Sequence, residues 1–202
     1  MTSGVDISFA QEIARANRII QAAPKQLEKA SQRAMRKTIR WLKSRMAREI
    51  SKTMKVPQKV IKERFKDATT GKGVNKVFTL WIGTLPLAAE QVSKPRQTNK
   101  GVSVRSHRFE GAFYKPVFDG QAKVWIRSKR NLTLNYPSLN PKKKKAIGQV
   151  PKHLKGRFPI QRIGVPIDGV TEELFKRYKN RAVERFSTLL QQELNYAVNH
   201  ER

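Results

Sequence analysis

The sequence predicts an α+β domain, a small antiparallel sheet packed with a long N-terminal basic helix and a long C-terminal helix. Three observations carry that class. Apolar residues recur at helical spacing over two long stretches, Pro24 to about Ser51 and Thr171 to about Asn199. Between them, apolar and polar residues alternate in short runs, the mark of half-buried strands. Asp119-Gly120 is the dipeptide that best tolerates the positive φ angles of a two-residue hairpin turn.

Taken in order, Val5, Ile7 and Phe9 alternate with polar residues and predict a short strand, after which Ile13, Ala14, Ala16 and Ile20 shift to helical spacing. Pro24 suits the first position of a helix, where its missing N–H costs nothing. Met35, Ile39, Leu42, Met46 and Ile50 follow at steps of three and four, and Leu27, Ala30, Ala34, Thr38 and Trp41 widen that stripe. Lys29, Arg33, Arg36, Lys37, Arg40, Lys43, Arg48 and Lys52 cover the other face, and the apolar stripe is expected to pack on the sheet. Val56-Pro57 interrupts the pattern, because the residue before proline avoids the helical region. Pro57 then starts a short helix to Phe65, with Val60, Ile61 and Phe65 buried. Val77 to Ile82 reads as a strand with Phe78, Leu80 and Ile82 on one face, the segment from Gly83 to Lys100 as a surface loop, and Val102 and Val104 as the next strand.

A two-residue turn at Asp119-Gly120 fixes a hairpin register in which Val117 faces Ala122, Lys115 faces Val124, Tyr114 faces Trp125 and Phe113 faces Ile126. Phe113, Val117, Val124 and Ile126 are then the core face. Tyr114 and Trp125 form an aromatic cross-strand pair on the other face, available to an interface. Pro116 cannot donate to a ladder, which places the hairpin at a sheet margin. Ser128 to Pro151 has little periodicity, so the chain is expected to be a single domain over residues 1–202 with an extended basic loop at about 128–156. Phe158, Ile160, Ile163 and Val165 predict an irregular last strand. Thr171 is the expected N-cap of the closing helix, with Glu172 and Glu173 in its first turn. Leu174, Phe175, Tyr178, Ala182, Phe186, Leu189, Leu190, Leu194 and Ala197 form its buried stripe.

With 202 residues and 38% hydrophobic content the chain has material for a real core. Its 43 Lys and Arg against 15 Asp and Glu give a formal charge of +28, which calls for a polyanionic neighbour: nucleic acid, an anionic membrane or an acidic protein surface. No apolar run approaches the ~18–20 residues of a membrane span, and Met1 to Ala10 lack the basic-then-apolar plan of a signal peptide, so no membrane partner and assembly in a cytoplasm are expected. The absence of cysteine excludes disulfides, thiolate nucleophiles and cysteine zinc sites.

No catalytic set emerges. His107, His153 and His200 stand apart, with neither a helical-spacing partner nor an acid cluster, and Gly71-Lys72-Gly73 lacks the spacing and the Lys-Ser/Thr ending of a phosphate loop. Carboxylates lie mostly beside bases on helices, where Glu28 and Glu49 are expected to pair within one turn. No enzyme activity, cofactor or metal is expected. The informative feature is electrostatic: from Ser128 to Phe158 stand Lys129, Arg130, Lys142, Lys143, Lys144, Lys145, Lys152, Lys155 and Arg157, with no acid. These are the candidate contacts to DNA phosphates or to an acidic neighbour. Tyr136 and Phe158 are the only aromatics in that segment, which favours phosphate contact over base stacking.

Ordered blocks over most of the chain carry a resemblance. They are Ala34-Met35-Arg36-Lys37-Thr38, Ala47-Arg48-Glu49 leading to Lys55-Val56-Pro57 through Arg64, Gly101-Val102-Ser103-Val104, Gly111-Ala112-Phe113, the Asp119-Gly120 turn with Val124 and Arg127, Arg157-Phe158-Pro159-Ile160 and Val165-Pro166-Ile167. In their order and basicity they resemble the minor tail protein Z family of long-tailed bacteriophages, the tail completion proteins. That resemblance implies a non-enzymatic virion structural protein at the head-proximal end of the tail, helping to join tail to head and to position the DNA end. Its implied partners are the tail terminator, tail tube and neck proteins and a homo-oligomeric ring of its own kind, while contact with genomic DNA without sequence preference is the expectation of the basic segment Ser128 to Phe158. The segment Leu132 to Val150 is longer here than in that family. A free basic nucleic-acid-binding protein without enzymatic activity is the alternative.

Overall fold

The computed structural model describes residues 2–3, 9–20, 24–71, 77–118, 120–139 and 158–200. In order these form β1 (Thr2–Ser3), α1 (Ala10–Ile20), α2 (Pro24–Met54), α3 (Gln58–Lys62), β2 (Phe65–Thr70), β3 (Val77–Gly83), β4 (Leu87–Ala88), α4 (Ala89–Val92), β5 (Arg96–Thr98), β6 (Gly101–Val104), β7 (His107–Glu110), β8 (Phe113–Pro116), β9 (Ala122–Arg127), α5 (Ser128–Leu134), β10 (Ile160–Arg162), β11 (Gly164–Val165) and α6 (Asp168–His200). The chain is α+β, with long helices near both ends and short antiparallel strands between. It divides into two units, one of Met1–Glu49, Ile61–Gly83 and Val170–Arg202, the other of Ile50–Val60 and Thr84–Gly169. Among the described residues no helix is long and apolar enough to cross a membrane.

The first unit is organised by α2 and α6, which run antiparallel. Gln26 bonds to the Ala197 carbonyl, Arg33 pairs with Glu193 and Glu49 pairs with Arg177, so positions rise along one helix as they fall along the other. Alanines thin both stripes and let the helices approach. Leu27, Ala30, Ala34 and Met35 pack on Phe186, Leu189, Leu190, Leu194 and Ala197, with Phe78 of β3 against the cluster. The first half of the basic helix therefore packs chiefly on α6, where the sequence predicted the sheet. Of the expected α2 stripe, Met35, Leu42, Met46 and Ile50 are buried and Ile39 is half-buried. The whole expected α6 stripe is buried. Glu193 lies buried between the two helices against Arg33 and Lys37. A three-stranded sheet in the order β1-β3-β2 completes the unit, with Phe65 opposite Ile82 and Asp67 paired to Lys43 of α2.

Three expectations in these regions change, and a fourth falls mostly outside the described residues. Phe65 opens β2 instead of closing the helix begun after Pro57, because that helix ends at Lys62 and the backbone turns extended three residues on. Thr171 is a buried residue inside α6, which begins at Asp168 directly behind Pro166-Ile167. Glu49 bonds to Arg177 and Tyr178 of α6, not to a neighbour one turn away, whereas Glu28 does accept from Gln32 four residues on. Of the strand expected from Val5, Ile7 and Phe9, the first two lie outside the described residues, and Phe9 precedes α1 with its ring stacked on Phe186 at 4.2 Å.

The second unit is built from small antiparallel ladders, in the orders β5-β6-β7, β10-β9-β8 and β11-β4. Val102, Val104, Phe109, Val124, Ile126, Ile163 and Val165 are buried in it. Gly101 is required by close approach, since a Cβ there would lie 2.1 Å from the Phe109 carbonyl oxygen. The tight two-residue turns fall at Asn99-Lys100 and Arg105-Ser106, where Thr98 pairs with Gly101 and Val104 with His107. Arg105 adopts φ +50° and reaches back to the Lys55 carbonyl at 2.8 Å, placing a cation on the frayed end of α2.

The 113–127 hairpin has a different register from the one predicted. Phe113 faces Trp125, Tyr114 faces Val124, Lys115 faces Lys123 and Pro116 faces Ala122, so five residues, 117–121, connect the strands. Pro116 has no N–H with which to continue the ladder, and pairing closes there. A shift of one residue moves each side chain of one strand to the other face relative to its partner. Val124 and Ile126 are fully buried as expected, but Phe113 lies on the opposite face, and Tyr114 and Trp125 point to different faces. Asp119 itself lies outside the described residues.

Candidate anion-binding cleft

At one end of the second unit the ends of β9 and α5 meet the β5–β6 turn around an open cleft of about 870 Å³. Lys100, Arg127, Lys129 and Arg130 line it, Glu110 is the only acid among the described lining residues, and Phe113 and Phe158 supply apolar surface. Each cation is set by a local device. Lys100 occupies the two-residue turn, held where the Lys100 carbonyl accepts from Gly111 N at 2.7 Å and Thr98 Oγ1 donates to the Gly101 carbonyl at 2.9 Å. Gln97 braces the same turn, donating to Gly101 O at 3.0 Å while its Oε1 accepts from Tyr114 N at 2.8 Å. Arg127 is the exposed last residue of β9, and the chain is pinned beyond it by Ser128 N donating to Pro159 O at 2.8 Å.

Lys129 and Arg130 project from α5, so the expectation that they sit in an irregular loop is corrected. This seven-residue helix is anchored by Asn131, a buried amide whose Oδ1 accepts from Tyr136 N at 2.9 Å and whose Nδ2 donates to Tyr136 O and Gln161 Oε1, both at 3.0 Å. Asn135 ends the helix in the left-handed region, which asparagine tolerates better than most residues. Tyr136 then packs edge-on against Phe109 at 5.4 Å and accepts from Glu110 N through its hydroxyl at 2.9 Å. Gly111, at φ +68°, leaves room for Arg130, whose Nε would lie 2.1 Å from a Cβ at that position. Arg130 in turn bonds to Glu110 at 3.3 Å. With Glu110 engaged by Arg130, Lys100, Arg127 and Lys129 are the other cations of the described lining.

Of the predicted contact residues, the fold brings Lys129 and Arg130 into this cleft. Lys142, Lys143, Lys144, Lys145, Lys152, Lys155 and Arg157 lie outside the described residues. Tyr114 and Trp125 are not a cross-strand pair: Tyr114 faces Val124, and the Trp125 side chain is buried with its indole N–H donating to Lys115 O at 3.1 Å. Sequence reasoning missed Lys100, Arg127 and the two phenylalanines. Their one legible signal was the Asn99-Lys100-Gly101 turn, whose closure brings Lys100 and Gly111 together.

The fold and the cleft define a class: a basic α+β protein with an open cleft lined by cations. Among the described lining residues there is no second carboxylate, histidine or hydroxyl nucleophile to pair with Glu110. No family model matches the chain, and neither a curated protein nor a solved structure matches it.

Proposed function

We propose that this chain is a non-enzymatic virion structural protein, a tail completion subunit of the minor tail protein Z type. In this reading it acts at the head-proximal end of the tail, packs into a ring, and presents positive charge to the end of the genome or to acidic neighbours. Placement in the tail rests on the resemblance of the ordered sequence blocks. Contact with DNA rests on one observation, the cleft in which Lys100, Arg127 and Lys129 converge with Glu110 already engaged by Arg130. Such a surface binds phosphates by charge and counterion release, without reading sequence.

The test neutralises the three cations together, Lys100→Gln, Arg127→Gln and Lys129→Gln. Exposed charges away from buried networks contribute little to stability, so the fold is expected to persist. Binding of the assembled protein to duplex DNA should lose about 0.9 from its logarithmic salt slope for each phosphate contact removed. Particles carrying the variant should look complete yet infect poorly. An unchanged salt slope together with normal infectivity would reject the role. The alternative is a free basic nucleic-acid-binding protein, which the same set of cations from one chain would also serve. It requires the isolated subunit to hold duplex DNA near physiological salt, whereas a ring subunit gains useful affinity on assembly through multivalency.

A further inference from the structure

We propose that the surface joining this cleft to the 113–127 hairpin binds single-stranded nucleic acid, with bases stacked on Phe118 and Phe158 and phosphates held by the flanking cations. The inference rests on the reading of the cleft as a phosphate site and adds the chemical form of the ligand. Phe118, in the five-residue connection after β8, is 69% exposed. Its ring meets the edge of Trp125 at 5.3 Å and a 76° interplanar angle, and lies 6.3 Å from Phe158, which lines the cleft. A run of rings thus leads from the hairpin tip into the cationic cleft.

The observed register adds cations beside those rings. Lys115 stands directly opposite Lys123, Phe113 opposite Trp125, and Arg127 opposite Ile160, all on one face in successive rows. Rows on one face of a strand are about 7 Å apart, so charged and aromatic rows alternate along the hairpin. Exposed phenylalanine alone would suit an apolar protein partner. Cations on either side of it favour a polyanion instead, and the rings favour one whose base faces are open. A duplex hides those faces in its own stack, while a single strand offers them. From the sequence, stacking was unexpected, because the basic segment Ser128 to Phe158 holds few aromatics. The fold supplies the exposed Phe118 from outside that segment and sets it 6.3 Å from Phe158.

The experiment measures binding of the full chain to a labelled twelve-nucleotide oligothymidine, to an abasic strand of equal length and to a duplex, at matched salt. The wild-type protein is expected to prefer oligothymidine. Phe118→Ala should weaken oligothymidine binding about tenfold and leave the abasic strand and the duplex unchanged, with Phe118→Trp restoring the loss. Equal oligothymidine affinity for Phe118→Ala and wild type, or a wild-type preference for duplex, overturns the proposal while leaving the cleft as a phosphate site. If Lys100→Gln, Arg127→Gln and Lys129→Gln together change the binding of none of the three ligands, the phosphate site fails and this inference fails with it.

Discussion

Tyr178 shows how one side chain can carry a packing role and an electrostatic one. It is buried, its ring lies edge-on to Trp41 at 5.8 Å, and the guanidinium of Arg181 sits 5.8 Å from its centroid. Its hydroxyl donates to Glu49, which also receives Arg177. Burial raises its pKa above the ordinary 10.0, and the hydrogen bond to Glu49 and the Glu49 charge push the same way, against Arg177 and Arg181. The phenol therefore favours folding in its neutral form. That stability is fully present below about pH 10, the unfolded value, and is lost as pH rises through the higher folded value. Tyr178→Phe should cost about 1–2 kcal/mol at neutral pH, because Glu49 keeps Arg177 and partial access to water. The stability gap between wild type and variant should then narrow above pH 10, as the wild type alone suffers the delayed ionisation. Denaturant unfolding between pH 8 and 11 reads both effects, and a gap independent of pH would show that the hydroxyl is not coupled to folding.

At the scale of elements, α2 and α6 illustrate burial set by stripe geometry. Leu42 is 5% exposed on α2. Leu42→Ala should cost about 2–5 kcal/mol, the transfer loss plus the cavity that neighbouring side chains cannot fill. A loss under about 0.5 kcal/mol in denaturant unfolding would show that the stripe is not core in the isolated chain. Glu193 fixes the pairing of the same two helices in another way. A buried carboxylate facing both Arg33 and Lys37 penalises any sliding of α6 that would strand its charge, so its contribution lies more in specifying register than in net stability. The β8–β9 hairpin gives the converse lesson. Its dipeptide signal was strong, but Pro116 closed the ladder early and the connection widened to five residues. Tight turns formed instead at Asn99-Lys100 and Arg105-Ser106, the second with a non-glycine residue at positive φ.

For the molecule as a whole the dominant quantity is its formal charge of +28. Repulsion among so many cations opposes folding, and the ion pairs of Glu49, Glu90, Glu110 and Glu193 offset it locally. Salt screens this repulsion, with a Debye length falling from about 30 Å at 0.01 M to about 10 Å at 0.1 M. The melting temperature should therefore rise over that range, followed by calorimetry. A fall would mean that attractive pairs outweigh the repulsion. A short polyanion that engages the folded surface should raise it further, since whatever binds the native state alone stabilises it.

The sequence by itself determined the α+β class, both long helices with nearly every buried position, the strand at Val77 to Ile82 and the formal charge of +28. These follow from local periodicity and composition, which act within a few turns or are summed over the chain. Only the tertiary structure decided the hairpin register, the helical placement of Lys129 and Arg130, and their meeting with Lys100, Arg127, Phe113 and Phe158. Each of these depends on groups distant in sequence. Asn131 finds Gln161 across thirty residues, Gly111 makes room for Arg130, and Pro116 withholds one N–H that the ladder would need. Because the side chains of a strand alternate faces, the one-residue difference in register separates Tyr114 from Trp125 and sets Phe113 opposite Trp125.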